Sequence, residues 1–207
     1  MTDSTHADPA TPPVKWSSII VSAYLPTLMS SLGYGAVIPL IPLTAVHIGA
    51  SAALAAAIAA LVGIGQIIGD VPAGWLVTKI GEKWSLVIAM LIDAVALVSM
   101  GLVHHLGLLA VAVFVNGMAG AVYGIARQNY LTVAIPYRYR ARALSTLGGV
   151  FRVGWFVGPM AGSWILREAS MSWAYGFASV ASVLAAAVTT VMPVSYTHLR
   201  AHETPEH

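Results

Sequence analysis

Four charged side chains lie inside, or at the end of, long apolar runs of this sequence. Asp93 is near the middle of its run, Arg127 is in the second half of the next run, and Arg152 is in the first half of the one after. Asp70 lies at the end of an earlier run. A charge at mid-bilayer costs about 2.5–3.5 kcal/mol on insertion scales, so such residues are candidates for binding or moving a solute or an ion. We predict Asp70, Asp93 and Arg152 to be buried charges.

Two of these charges also have a purely structural interpretation. Arg127 could extend its aliphatic stem and place its guanidinium at a membrane surface. Asp93 could serve only as the partner of another buried polar group. The sequence leaves both interpretations open.

Residues for covalent or metal chemistry are not arranged for it. A membrane enzyme needs a nucleophile with a base, or metal ligands, facing one another inside the spans. The chain has no Cys, no H-E-x-x-H and no G-x-S-x-G; His104 and His105 fall between apolar runs, and His47 lies near the end of the first run. We therefore predict no catalytic residue, no metal site and no cofactor. An intramembrane enzyme is the least favoured alternative.

The composition indicates that these side chains are positioned by membrane-spanning helices. The 207 residues are 58% hydrophobic and 9% charged, and the mean hydropathy is +0.80. Soluble domains carry about 25% charged residues, so this chain has too little polar surface to cover a soluble globule. Runs of about 20 apolar residues suffice to cross a bilayer as helices, and lipid offers no partner for an unpaired backbone. We predict an all-α membrane protein with six spans, at about 16–43, 51–73, 84–103, 107–133, 143–166 and 172–192.

The distribution of basic residues predicts the orientation. Residues 1–15 are polar and proline-rich, and we expect them to form a disordered cytoplasmic tail. With the N-terminus inside, the outer loops hold only Arg167, which favours this orientation under the positive-inside rule. The basic residues lie in short loops instead of on one continuous face, so we predict no nucleic-acid partner. The cytoplasmic segments then hold Lys15, Lys79, Lys83, Arg138, Arg140 and Arg142.

An internal repeat relates the two halves of the chain. The stretch Gly65–Leu76, GQIIGDVPAGWL, is similar to Gly154–Leu166, GWFVGPMAGSWIL, and Trp84 and Trp173 open the spans that follow. Because each repeat contains three spans, the second copy would have inverted topology, a feature of secondary transporters.

The loop after the second span carries a family resemblance. GWLVTKIGEK resembles the pattern G-x-L-a-D-r-x-G-r-k, found between helices two and three of the major facilitator superfamily. This sequence departs from it at Thr78, where the family has an acid, and at Glu82, where it has a base. In the family the loop stabilises the outward-closed state, so the missing acid matters; Asp70 could substitute. The matching positions are Gly74, Leu76, Lys79, Gly81 and Lys83.

The fifth span resembles a second family motif, G-x-x-x-G-P-x-x-G, associated with antiporters and drug exporters. Gly154, Gly158, Pro159 and Gly162 match it, whereas the upstream glycine of the motif is Ser145 here. Glycines four residues apart allow close helix packing, and a proline bends a helix. We expect this span to form a moving interface.

The fourth span matches the end of the family pattern R-x-x-q-G-x-g at Asn116, Gly117 and Ala119, but Val113 replaces the arginine of many proton-coupled members. The resemblance assigns the first and fourth spans to the substrate cavity and the third to the periphery. Glycines and prolines also suggest a flexible or broken first span, namely Gly33, Gly35, Pro39 and Pro42. The residues expected along the transport path are Tyr34, Asn116, Tyr123, Arg127 and Gln128.

The last residues differ abruptly in character from the rest. Val194–Thr204 resembles the translation of a transposase-type sequencing adapter, so we treat 194–207 as a non-native tail and 16–193 as the six-helix domain. The family has twelve helices in two halves, and the resemblance therefore implies that a C-terminal half in the same chain is missing.

Taken as a whole, the resemblance implies a secondary transporter of a small solute, working by alternating access, with export as the expected direction. It implies a bilayer of the plasma membrane as surroundings and protons as the default coupling ion, although Val113 speaks against that ion. The alternative is a six-helix half-transporter or membrane scaffold that acts as a homodimer.

Overall fold

A computed structural model describes residues 20–191, and within that range the chain is helical and contains no strand. The first span, α1, is the helical run Val21–His47. The expected tail 1–15 and the expected non-native tail 194–207 lie outside the described residues. The all-α prediction is confirmed. The helices α2 to α6 are Ala52–Ile80, Glu82–Leu102, Leu106–Ala134, Tyr137–Glu168 and Met171–Val191.

Five of the six helices, all except α5, are long and apolar enough to cross a membrane. Helix α5 is the longest, with 32 residues, but Arg138, Arg140 and Arg142 near its start and Arg152 further along lower its hydropathy. The protein is therefore a multi-pass helical membrane protein, in which α5 is the least apolar of the six predicted spans.

Helix α1 is interrupted, as its prolines and glycines predict. It opens with a π-helical turn at Ile20–Tyr24, and the chain turns at Pro39 between the α-helical segments Leu25–Val37 and Leu40–His47. Proline has no backbone N–H to continue a helix and clashes with the preceding turn. The interruption therefore falls where the sequence places a proline.

The predicted limits of the second and fifth spans are wrong. Helix α2 runs to Ile80 instead of ending near residue 73, because Val77 continues its buried face and packs with Leu86 of α3. The α2–α3 turn then consists of Gly81 alone, which has φ = +81°, a conformation that favours glycine. Helix α5 likewise starts at Tyr137, six residues before the expected position.

Helix pairing follows an internal two-fold pattern. Helix α2 packs along α4, and α5 packs along α1; α3 packs on α4, and α6 packs on α1; α3 and α6 pack on each other. Exchanging α1 with α4, α2 with α5 and α3 with α6 leaves this set of pairs unchanged. That is the arrangement expected of two three-helix repeats, and it agrees with the repeat seen in the sequence.

Corresponding glycines make the corresponding contacts. A methyl group at Gly69 of α2 would lie 2.9 Å from the Met118 Cα of α4, and one at Gly158 of α5 would lie 2.6 Å from the Leu32 carbonyl oxygen of α1. Atoms this close leave no room for a side chain, so the small residues let the paired helices approach closely. Gly154 and Gly162 contact α1 in the same way.

Candidate functional site

A cleft of about 290 Å³ lies between five of the helices, α1 to α5. Both repeats contribute to its walls, because α1, α2 and α3 belong to the first repeat and α4 and α5 belong to the second. The walls combine apolar residues with several polar and aromatic side chains. The polar and aromatic ones used below are Tyr34, Gln66, Asp93, Tyr123, Phe151 and Trp155.

The carboxylate of Asp93, on α3, is held by two hydrogen-bond donors. The side-chain amide of Asn116, on α4, donates to Oδ1 over 2.5 Å, and the hydroxyl of Ser182, on α6, donates to Oδ2 over 2.7 Å. Asn116 and Ser182 are both buried. Asp93 thus joins three helices while it also lines the cleft, and it is the one acidic residue among the cleft-lining side chains.

Tyr34 links the two repeats across the cleft. Its hydroxyl accepts a 2.9 Å hydrogen bond from Gln66 Nε2 on α2, and its ring contacts Trp155 on α5, with centroids 5.5 Å apart and planes tilted by 42°. One aromatic side chain of α1 therefore has a polar partner in the first repeat and an apolar partner in the second.

Arg127 lies against two of the aromatic side chains that line the cleft. Its guanidinium carbon is 5.4 Å from the ring centroid of Tyr123, one helical turn earlier on α4, and 4.8 Å from that of Phe151 on α5. Both distances fall within the range of cation–π interactions. The Nε and Nη1 atoms of Arg127 are buried and have no hydrogen-bond partner among the described residues.

Comparison with known proteins identifies the fold. The profile of the Major Facilitator Superfamily matches residues 23–206, most of the chain. The chain belongs to the major facilitator superfamily. The match continues to residue 206. It therefore includes most of residues 194–207, which were predicted to be a non-native tail.

Several named proteins are similar to this chain. An uncharacterized MFS-type transporter of Mycobacterium tuberculosis is 26% identical over 167 residues, which are 81% of this chain and 24% of the relative. The tetracycline resistance protein, class H, of Pasteurella multocida is 28% identical over 171 residues, 78% of this chain and 40% of the relative. A putative niacin/nicotinamide transporter of Bacillus subtilis is 29% identical over 138 residues, which are 64% of this chain and 33% of the relative. The chain spans less than half of the length of these relatives.

In this superfamily member, the loop motif forms the α2–α3 turn. Gly81 makes the turn, Lys79 places its ammonium 4.5 Å from the Trp75 ring, and Lys83 donates a 2.9 Å hydrogen bond to the Thr190 carbonyl at the end of α6. Gly74 is exposed and Leu76 is partly buried. The motif thus connects the start of α3 with the end of α6.

The helix-five motif of the superfamily lies where the sequence predicts an interface. Gly154, Gly158 and Gly162 are buried against α1, whereas Pro159 is exposed and lies within a continuous α5. The three glycines therefore define the face that α5 presents to α1.

The residues predicted to line the path separate into three groups. Tyr34 and Tyr123 line the cleft, and Arg127 stacks on two of its walls. Asn116 is 1% exposed and supports Asp93 instead of lining the cleft. Gln128 is exposed and lies outside the cleft, because it follows Arg127 by one residue and so points about 100° away around α4.

Two of the three residues predicted to be buried charges lie on the surface of the described helices. Asp70 and Arg152 are both exposed. Asp70 follows Gly69 by one residue and Arg152 precedes Gly154 by two, so neither side chain shares the face on which these glycines contact the partner helix. Asp93 alone among the three lies within the bundle, although the resemblance places its helix at the periphery.

Sequence reasoning missed Gln66, Phe151, Trp155 and Ser182. The repeat holds the signal for two of them: Gln66 and Trp155 each follow the first glycine of the matching stretches. They occupy equivalent positions in the two repeats, and both contact Tyr34.

Proposed function

We propose that this chain is the N-terminal six-helix half of a secondary active transporter that exports a small solute by alternating access. In this proposal the solute passes through the cleft, the second half is supplied by a longer polypeptide, and the N-terminus lies on the cytoplasmic side of the plasma membrane. The observation that carries the proposal is the cleft itself: it lies between two repeats that are packed through glycine contacts and connected through Tyr34.

The glycine contacts support a rocking mechanism. Helices that meet through backbone and small side chains can slide or tilt without disengaging long interdigitated side chains. In alternating access, one helical unit moves against another around a central site. The α1–α5 pair, which contributes Tyr34, Phe151 and Trp155 to the cleft, has this type of contact.

We propose protons as the coupling ion and Asp93 as the group that carries them. The Ser182 hydroxyl now donates to the Asp93 carboxylate, but a hydroxyl can also accept a hydrogen bond. Rotation of that hydroxyl would allow protonated Asp93 to donate to it. The Asp93–Ser182 hydrogen bond can therefore form in both protonation states of Asp93.

The relatives suggest which solutes to try first. One relative is named for tetracycline resistance and another for niacin or nicotinamide. Both names refer to compact ring compounds, which suit a cleft with four aromatic side chains. For this chain they are starting points for an assay and no more.

Two measurements test the proposal. A long read of the source DNA across the codon for Pro193 is expected to show a reading frame that continues into further apolar spans. Cells that express the complete product should then accumulate less tetracycline or nicotinamide than cells that express its Asp93→Asn variant, and a protonophore should remove the difference.

A stop codon after His207 in the native DNA would contradict the two-half proposal. The homodimer alternative then predicts a symmetric crosslinked dimer of the purified chain with transport in liposomes. Lower accumulation of a solute with the complete product, but equally low accumulation with its Asp93→Asn variant, would contradict proton coupling through Asp93.

A further inference from the structure

We propose that Arg127 binds an anionic group of the transported solute, a carboxylate or a phosphate, at the edge of the cleft. The inference rests on the proposed function and adds the charge of the substrate to it. It depends on the orientation and the unpaired nitrogen atoms of one guanidinium.

The guanidinium of Arg127 is fixed in position, but not all of its nitrogen atoms have a hydrogen-bond partner. Tyr123 and Phe151 lie within 5.4 and 4.8 Å of its guanidinium carbon. Aromatic rings stabilise the charge through their faces, but a ring face supplies no hydrogen-bond acceptor to Nε or Nη1. Nε and Nη1 are buried without a hydrogen-bond partner. Buried donors without acceptors are costly, and more so when the group is charged.

No acidic residue of the described helices supplies the missing hydrogen-bond acceptor for Arg127. Asp93 directs its two oxygens to Asn116 and Ser182. Asp70 is on the surface of α2, and Glu168 is exposed at the far end of α5 from the arginine-rich start. Glu82 lies in the first turn of α3. A carboxylate or phosphate from outside the described helices is the chemical partner that a guanidinium fork fits in two-pronged geometry.

Arg127 does not simply extend its side chain to a membrane surface. Arg127 is seven residues before the end of α4, about 10 Å along the helix axis. An arginine that reaches the surface would expose its guanidinium nitrogens, whereas two of the three nitrogens here are buried. Tyr123 and Phe151 also line the cleft, so a shift of either ring would open the guanidinium to an anion in the cleft.

Three probes of similar shape test the charge preference: benzoate, benzyl alcohol and benzylammonium. Binding of each radiolabelled probe is measured to the purified 207-residue chain in phosphatidylcholine nanodiscs. We expect benzoate to bind about tenfold or more tightly than the other two. Equal binding of the three probes, or preference for benzylammonium, would overturn the inference.

Variants of Arg127 then assign the preference to this side chain. Arg127→Met should weaken benzoate binding about tenfold or more, and Arg127→Lys should retain part of it. The matched control is Arg142→Met, which removes an exposed arginine of α5 and should leave benzoate binding unchanged. Unchanged binding in Arg127→Met, or equal loss in the Met and Lys variants, would overturn the assignment.

Thermal unfolding separates a binding role from a structural one. If Arg127 is an incompletely paired buried charge, then Arg127→Met should unfold at a higher temperature than the parent chain without ligand, because an apolar replacement removes that cost. Benzoate should raise the unfolding temperature of the parent chain only. A lower unfolding temperature for Arg127→Met would show that the arginine serves the packing of Tyr123 and Phe151, and would overturn the inference.

Anionic lipid is the other source of such a group. If added phosphatidylglycerol displaces benzoate from the nanodiscs, the site holds a lipid headgroup and the solute inference is overturned. These measurements use no ion gradient, so a negative binding result leaves the proposed transport intact. Anion binding by Arg127 together with no solute movement by the complete product would instead contradict the proposed function.

Discussion

The side-chain amide of Gln66 donates a 2.9 Å hydrogen bond to the hydroxyl of Tyr34, and this bond joins α2 to α1. On the other side, the Tyr34 ring contacts Trp155 of α5. Gln66 and Trp155 are equivalent in the internal repeat, so the repeats place a polar and an aromatic residue on the same partner. Tyr34 is therefore a residue at which the two repeats meet in the cleft, as is Asp93 through Asn116 and Ser182.

Removing either partner of this hydrogen bond should cost stability, and removing both should cost less than the sum. Gln66→Leu and Tyr34→Phe each leave one partly buried polar group unpaired, at about 1–3 kcal/mol. The double variant leaves neither, and we expect a coupling energy of about 0.6 kcal/mol, typical of hydrogen bonds between membrane helices. Unfolding by sodium dodecyl sulfate, followed by circular dichroism, gives the four free energies of unfolding.

The control for this cycle is Ser163→Ala. The Ser163 hydroxyl is exposed and donates to the Met160 carbonyl within its own helix, so its removal should change the free energy of unfolding by about 0.5 kcal/mol or less. Strictly additive effects of Gln66→Leu and Tyr34→Phe would show that the bond is not formed in the membrane protein.

Close approach of α5 to α1 predicts opposite effects for two glycines of the same helix. A methyl group at Gly158 would lie 2.6 Å from the Leu32 carbonyl oxygen and 2.8 Å from the Ala36 nitrogen, whereas one at Gly148 would have nothing within 4 Å. Gly158→Ala should therefore destabilise the protein by about 1–3 kcal/mol through overpacking. Gly148→Ala should be neutral or stabilise it by about 0.5–1 kcal/mol, the helix preference of Ala over Gly.

The same detergent unfolding measures both glycine variants. Equal free energies of unfolding for Gly158→Ala and Gly148→Ala would mean that α5 does not contact α1 through this face. A transport assay on the complete product adds a second readout, because a wedge at Gly158 should also slow transport if this interface moves.

Helix number and pairing could be predicted from the sequence because apolar runs and small-residue spacing encode them directly. The repeat between Gly65–Leu76 and Gly154–Leu166 indicates which helices are equivalent, and the two-fold pairing pattern follows. Helix ends were harder to predict. Lys79 and Arg138 suggested loops, but amphipathic basic residues continue a helix readily, and α2 ends at Gly81, which has φ = +81°.

The candidate site could be predicted only in part, because charge in a sequence does not tell which way a helix turns its side chains. Asp70 and Asp93 both interrupt apolar runs, yet one is on the surface and the other is within the bundle. Helices α2 and α5 turn Gly69 and Gly154 toward their partner helices. Rotations read from Gly69 and Gly154 would have placed Asp70 and Arg152 on the outer side.

Two substitutions of Asp93 should differ in stability. Asp93→Asn keeps the side-chain shape, and its amide can accept from Asn116 and donate to Ser182, whose hydroxyl can reverse. Its free energy of unfolding should stay within about 1 kcal/mol of the parent. Asp93→Leu leaves the Asn116 amide and the Ser182 hydroxyl unpaired, and should cost about 1–3 kcal/mol for each buried group.

Unfolding in detergent measures the free energies of unfolding of both variants. A transport assay on the complete product measures their activity. Asp93→Asn should be folded but unable to respond to a proton gradient. If Asp93→Asn is as unstable as Asp93→Leu, then the site needs the charge itself for folding, and the proton-carrier role loses its structural support.

The predicted orientation can be tested with single cysteines, because the chain contains none of its own. His104, between α3 and α4, and Arg138, at the start of α5, are both exposed, so burial limits labelling at neither. On intact cells, a membrane-impermeant maleimide should label His104→Cys and should label Arg138→Cys only after permeabilisation. Removing Arg138 leaves five of the inside lysines and arginines in place, so the positive-inside preference should persist in that variant. Labelling of Arg138→Cys from outside would place the N-terminus outside and overturn the proposed orientation.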